Sequence, residues 1–245
     1  MLVGPRLPCT TVGVSQRTLL IAPPMHLHSG TLVIEGDEAH HGRVVLRLRP
    51  GDDVRLADGD GHAAAAVVTG VGREALEVEV AQVEAVPAVQ VGLLTVASAV
   101  PKGDRFTDLV RGLTELGVGR FIPLECERGE RVPANLDRSR RIAAEALKQC
   151  QRARHLEILP GRTLTDLAQE GGALVLLDPQ GEPARPGAPS PTTLIIGPEG
   201  GLSEDERRAL EGFPSMRISG TILRIETAAI AAAAVWAAAW EASHS

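Results

Sequence analysis

At Val86-Pro87 the hydrophobic pattern of this chain changes period, and that change limits its fold more than any other feature. Before it, residues 31–35, 53–57, 62–69 and 75–83 read as short strands broken by turn signals. Asp58-Gly59 and Asp60-Gly61 supply the positive-φ residues that a tight hairpin needs. The first half is therefore expected to be a small antiparallel β-barrel, with a short helical or turn segment over residues 37–47. After the change, strands at 91–97, 120–124, 156–159, 173–177, 193–196 and 216–218 alternate with helices. That alternation predicts a mainly parallel sheet with crossover helices, an α/β domain. The 245 residues divide into an extension over 1–13 that fits neither pattern and is compatible with disorder, a first domain over 14–86 and a second over 87–245.

Within the second half, Phe106, Leu109, Val110, Leu113 and Leu116 fall on one face of a helix that Asp104 can cap and Gly117 can end. A second helix is expected over 137–151 and a short one within 162–172, whereas the Pro- and Gly-rich stretch 179–191 reads as a surface loop. Ser203 followed by Glu206 is a capping box opening another helix. The last helix, 227–240, is Ala-rich and apolar on nearly every side, so burial is expected, with a partner subunit as one cover.

Composition excludes several functions. With 44% hydrophobic and 23% charged residues the chain can bury a sizeable core. Aromatic residues are 2% and Tyr is absent, which argues against a binder built on aromatic stacking platforms. Cys9, Cys126 and Cys150 are odd in number and far apart, fitting neither a disulfide framework nor zinc pairs; a reducing cytoplasm follows, with Cys126 and Cys150 as small buried hydrophobes. Residues 1–24 lack a signal-peptide core and no stretch reads as a membrane span, so no membrane partner is expected. His26, His28, His40 and His41 have no Cys or acidic set at ligand spacing, and turn or barrel roles suit them better than a metal. The net charge of −6 argues against a nucleic-acid partner, but Arg43, Arg47, Arg49 and Arg55, then Arg138, Arg140, Arg141, Lys148, Arg152 and Arg154, form local clusters. Each cluster taken alone reads more readily as a solvated helix or strand face.

The most informative stretch is Leu194-Ile195-Ile196-Gly197-Pro198-Glu199-Gly200-Gly201, a buried strand delivering a Gly-rich turn into a capped helix. Such a turn lets backbone approach a ligand closely. It is neither a dinucleotide fingerprint nor a phosphate loop, and by itself it is equally compatible with a plain tight turn. A second segment, Ile218-Ser219-Gly220-Thr221-Ile222-Leu223-Arg224-Ile225-Glu226-Thr227-Ala228, sets an Arg and a Glu at the mouth of the last helix.

Together these segments closely resemble the knotted SPOUT methyltransferases, and in particular the RsmE family of bacterial 16S rRNA uracil-N3 methyltransferases. That family carries Gly-Pro-Glu-Gly-Gly and then an Ile-Leu-Arg-x-Glu-Thr-Ala run. Gln16-Arg17-Thr18-Leu19-Leu20 resembles a degenerate form of its Arg-Phe-Phe opening. Asp37-Glu38-Ala39-His40-His41, Val45-Leu46-Arg47 and Gly51-Asp52 resemble its PUA-like barrel signature. Lys102-Gly103-Asp104-Arg105, Thr114-Glu115-Leu116-Gly117, and Glu145-Ala146 with Gln149 and Arg152 are similar to its catalytic domain. Two departures remove positive charge: Ser219-Gly220-Thr221 stands where the family has Gly-x-Arg, and Gly112 replaces a frequent lysine.

The resemblance implies a trefoil-knotted, mainly parallel sheet with flanking helices behind a PUA-like β-barrel. It implies S-adenosylmethionine as cofactor, held by Leu177, Gly197, Glu199, Gly200, Ile218 and Leu223. Arg224 would stabilise the anion of a deprotonated uracil and Glu226 would accept its proton, although a structural ion pair or helix-start contact is an equal reading for Glu226. Arg17, Arg43, Arg47, Lys102 and Arg152 would position 16S rRNA, as naked RNA or in the small ribosomal subunit, and a cytoplasmic homodimer is implied. Two other functions fit the residues: ribose 2'-O methylation by the same fold, and a non-catalytic RNA-binding module. The acidic charge motivates the second, while the N-terminal barrel weighs against the first.

Overall fold

The computed structural model describes residues 17–20, 26–86, 93–186 and 190–242. The expected extension over 1–13, Cys9, Gln16, the start of the strand placed at 91–97 and part of the loop placed at 179–191 lie outside the described residues. The described residues fall into two compact units, one within 1–57 and 63–84, the other within 58–62 and 85–245.

The first unit is a six-stranded sheet. It contains β1 (Arg17–Leu20), β2 (Gly30–Glu35), β3 (Asp53–Ala57), β4 (His62–Val71), β5 (Ala75–Val80) and β6 (Glu84–Ala85), in the order β1-β3-β4-β5-β2 with β6 paired to β4. The sequence led to an all-antiparallel arrangement; the structure differs in that β1 joins β3 in parallel. The remaining registered pairs, β2 with β5, β3 with β4 and β4 with β5, are antiparallel. Because side chains alternate across a strand, Leu32 and Ile34 of β2 and Leu76, Val78 and Val80 of β5 are buried. Thr31, Val33, Glu77 and Glu79 between them face water. A short helix, α1 (Gly36–His40), runs directly into a π-turn at His41–Val45, within the segment read as helix or turn.

The second unit is an α/β layer structure with strands β7 (Leu94–Ala99), β8 (Arg120–Leu124), β9 (Glu157–Ile158), β10 (Leu174–Pro183), β11 (Thr192–Ile196) and β12 (Ser215–Arg217). Their order is β12-β10-β11-β7-β8-β9, and every pairing is parallel. Helices α2 (Asp104–Leu116), α3 (Asp137–Gln149), α4 (Leu164–Glu170), α5 (Glu204–Ala209) and α6 (Ile225–Ala242) surround it. Covering both faces is why β7 is buried along its whole length, Thr95 and Ser98 included. Leu94, Val96, Leu194 and Ile196 join a core with α2 and α6, whereas Ala97 and Ile195 join one on the opposite face with Leu164, Leu167 and Leu210.

Four details differ from the sequence reading. Helix α2 begins with Asp104 as its first residue behind an N-cap Gly103 that makes no side-chain cap bond, so Asp104 acts through its charge in the first turn rather than as the cap. Its other end is as expected, with Gly117 left-handed at φ 83. β10 runs on through 179–183, read as loop, because its ladder is bulged: Met216 pairs with both Leu177 and Glu182. Pro179 has no N–H for a ladder, and a Cβ on Gly181 would stand 2.7 Å from the backbone nitrogen of Met216, so the sequence looked like a turn where the chain makes an irregular strand. Helix α6 buries one stripe, Ile225, Ala229, Ala232, Ala233, Trp236 and Trp240, and leaves Thr227, Val235 and Ala238 exposed. Finally, Gly112 is a packing residue: a Cβ there would meet Ile230 of α6 at 2.7 Å, so any side chain would push that residue aside.

Candidate active site at the carboxyl ends of the parallel strands

In open parallel sheets ligands bind beyond the carboxyl ends of the strands, where adjacent connections diverge. Here a cavity of about 430 Å³ opens at the ends of β10, β11 and β12. Its walls are three chain segments: the bulge after Leu177, the turn from Gly197 to Leu202, and the stretch from Ile218 to Ile225. Leu177, Gly197, Glu199, Ile218 and Leu223 line it, brought together from segments far apart in sequence. Gly200 sits one residue off the wall, facing Arg128: a Cβ on it would stand 3.3 Å from the Cβ of Arg128.

The Gly-rich turn is tied down. Gly201 N–H donates to the Pro198 carbonyl at 2.9 Å, and Arg105 holds Glu199 at 3.0 Å. Ser203 and Glu206 form the expected capping box, the Ser203 N–H donating to Glu206 Oε2 at 2.8 Å and the Glu206 N–H to Ser203 Oγ at 3.3 Å. The other Glu206 oxygen, Oε1, accepts the Glu127 N–H at 2.9 Å, which ties in the loop after β8. Cys126 in that loop is half-buried, and burial with the nearby Glu206 charge pushes its thiol up to about 12, so it is no thiolate nucleophile.

Arg224 and Glu226 alternate with the lining residues Leu223 and Ile225. Arg224 is exposed, and among the described residues its guanidinium has neither an ion-pair nor a hydrogen-bond partner. Glu226 opens α6, and its Oε2 is buried with no hydrogen-bond partner. Sequence reasoning missed Asp178, Gln180, Met216 and Arg217 on the cavity wall. Asp178 Oδ1 accepts the Gln180 N–H at 2.8 Å, and its other oxygen lies 3.9 Å from Arg207. The position immediately after a strand's carboxyl end was the available signal for Asp178.

The five cations assigned to RNA are divided between the units. Arg17 pairs with Asp52 at 2.6 Å, while Arg43 and Arg47 are exposed, the latter with φ 54. In the second unit Lys102 pairs with Glu130 at 3.0 Å. Arg152 lies half-buried over Gly117 and donates to its carbonyl at 3.4 Å, a helix-end position where burial lowers its pKa. No described helix is long and apolar enough to cross a membrane.

The RNA methyltransferase domain family matches residues 90–237, and the RNA methyltransferase PUA domain family matches 34–81. The chain is 33% identical over 238 residues to the ribosomal RNA small subunit methyltransferase E of Mycobacterium bovis, covering 87% of this chain and 89% of that protein. With the enzyme of the same name from Rickettsia conorii it shares 29% over 206 residues, covering 80% and 84%. Among solved structures, the ribosomal RNA small subunit methyltransferase E of Neisseria gonorrhoeae, bound to S-adenosyl methionine, is similar with a TM-score of 0.80 and 26% identity, covering 91% of this chain and 98% of that one.

Proposed function

The chain belongs to the ribosomal RNA small subunit methyltransferase E family, and we propose that it methylates N3 of a specific uridine of 16S rRNA, with S-adenosylmethionine as donor. The observation that carries this reading is the cavity of about 430 Å³ bounded by three chain segments at the carboxyl strand ends, with an unpaired arginine beside it. Its volume falls within the roughly 300–1,000 Å³ of small-molecule sites. The donor carries a sulfonium and an ammonium, and the carboxylates of Asp178 and Glu199 on the wall suit both charges. Leu177, Gly197, Glu199, Ile218 and Leu223 would hold it, with Gly200 keeping the turn narrow.

When bound, S-adenosylmethionine supplies an electrophilic methyl group. The residues supply the rest. Uracil N3 is a poor nucleophile until deprotonated, and the Arg224 guanidinium, free of internal carboxylates, is available to stabilise the resulting anion at the carbonyl oxygens. Glu226 stands two residues beyond Arg224 in the first turn of α6, and in this reading its carboxylate accepts the departing proton. The walls align acceptor with donor, a large share of the rate enhancement in such a displacement. Arg17, Arg43, Arg47, Lys102 and Arg152 position the RNA in this reading, within the small ribosomal subunit. Threading of the segment after β12 as a trefoil knot, pairing of two copies over the exposed side of α6, and a cytoplasmic location belong to the same proposal.

The test is incubation with methyl-labelled donor and either assembled 30S particles or naked 16S rRNA, followed by nucleoside analysis. Label in N3-methyluridine is expected. Label on a ribose 2'-oxygen, or none in RNA, rejects the reading.

A further inference from the structure

We propose that Arg128 is an RNA-positioning residue whose guanidinium receives the phosphate of a nucleotide flanking the methyl acceptor; this rests on the RNA methylation proposed above. The significance of Arg128 is spatial.

The loop after β8 is fastened at both sides of Arg128. The Glu125 N–H donates to the Arg162 carbonyl at 2.9 Å, the Glu127 N–H to Glu206 Oε1 at 2.9 Å, and the Gly129 N–H to the Cys126 carbonyl at 3.1 Å. So fastened, the loop lies on the Gly-rich turn: a Cβ on Gly200 would stand 3.3 Å from Arg128 Cβ and 3.4 Å from its carbonyl oxygen, and one on Gly129 would stand 3.7 Å from Pro198 Cβ. Pro198, Glu199 and Gly201 of that turn line the cavity. The backbone beneath Arg128 is therefore ordered, and placed at the cavity's edge before any RNA arrives.

The charge state of its surroundings points the same way. Arg105 is paired with Glu199 and Lys102 with Glu130. Arg128 is exposed and, among the described residues, has no carboxylate partner. An acidic chain, with net charge −6, must hold RNA through local positive charge, and an unpaired arginine on a fastened loop suits a phosphate. The same loop also walls an open groove of about 1090 Å³, whose lining mixes Arg131 and Arg140 with Glu125, Glu130 and Asp137.

The experiment compares the wild type with Arg128→Ala and Arg128→Lys as full chains. Binding to 30S particles and naked 16S rRNA is measured across a salt series, together with donor affinity by calorimetry and steady-state kinetics. Arg128→Ala should weaken RNA binding about tenfold and raise KM similarly. It should reduce the slope of log affinity against log salt by about one and leave kcat and donor affinity within about twofold. Arg128→Lys should keep the slope. Unchanged RNA affinity and slope in Arg128→Ala would overturn the proposal, as would a loss of donor affinity equal to the loss for RNA, since Arg128 would then be a prop for the turn. A wild type that binds RNA without transferring methyl would end the functional reading while the salt slopes still decide Arg128. A wild type that binds no RNA would end both.

Discussion

Two walls of the cavity are built in opposite ways. The wall from Gly197 to Leu202 is fastened from several sides, by Arg105 on Glu199, by the Ser203–Glu206 box and by the loop after β8. The wall from Ile218 to Arg224 makes side-chain hydrogen bonds only within itself among the described residues, between Ser219 and Thr221 at 3.0 Å and 3.1 Å. Ile222 on that stretch is 88% exposed and Arg224 is unpaired. One wall is preorganised and the other is held by its ends, β12 and α6. Specificity divides accordingly: the fastened wall suits a small donor of constant shape, and the lightly tied wall leaves its charge available to a large acceptor.

The largest effect that would test this division is expected from Arg224→Ala, which should lower kcat about 10²- to 10³-fold while donor affinity stays within about twofold, measured by single-turnover label transfer and calorimetry. A tenfold loss of donor affinity would erase the distinction between the walls. Next in size is Gly181→Ala. Its Cβ would stand 2.7 Å from the backbone of Met216, so β12 must shift, at about 1–3 kcal/mol of stability by urea unfolding, with weaker donor binding because the lightly tied wall hangs from β12.

A smaller loss is expected from Ser203→Ala. Removing the cap should cost about 1 kcal/mol and lower Tm by roughly 2–4 °C, and donor affinity should fall with it, as scanning calorimetry with and without donor would show. Were stability to fall with donor affinity intact, the fastening would be irrelevant to binding. The smallest effect concerns the capping box of α4, away from the cavity. Hydrogen bonds from the Thr163 hydroxyl and N–H hold the Asp166 carboxyl below its ordinary 3.8, so the folded chain binds fewer protons there than the unfolded chain. Its contribution is present above the ordinary value and lost as pH falls through the lower folded one. Asp166→Asn should flatten the acid limb of a Tm-against-pH curve below about pH 4 and leave donor affinity unchanged.

Much of the fold was legible because burial imposes period. Residues 53–57 and 120–124 coincide with β3 and β8, since the alternation of Val54 and Leu56 with charged neighbours in the first and the apolar run in the second have few other uses. The α/β character of the second unit, the end of α2 at Gly117 and the box at Ser203 were legible for the same local reasons. What was not legible depends on partners distant in sequence. Pro179 and Gly181 signal a turn locally, and only the approach of Met216 makes that stretch a bulged strand carrying Asp178 and Gln180 to the cavity. Gly112 reads as a lost lysine until Ile230 is seen packed against it. Arg128 is one charge among many until Gly200 places it. The parallel seating of β1 on β3 was hidden because a four-residue strand carries no signal of direction.

The cavity's composition in chain order has a consequence for its biogenesis. Among the described residues nothing before Leu176 lines it, and its lining extends to Ala228. A ribosome synthesising this chain at roughly 5–20 residues per second thus works for several seconds after the first wall segment is made before the last one exists. Throughout that interval the nascent polypeptide is blind to the methyl donor, and ligand can reward folding only when nearly everything else has already been committed.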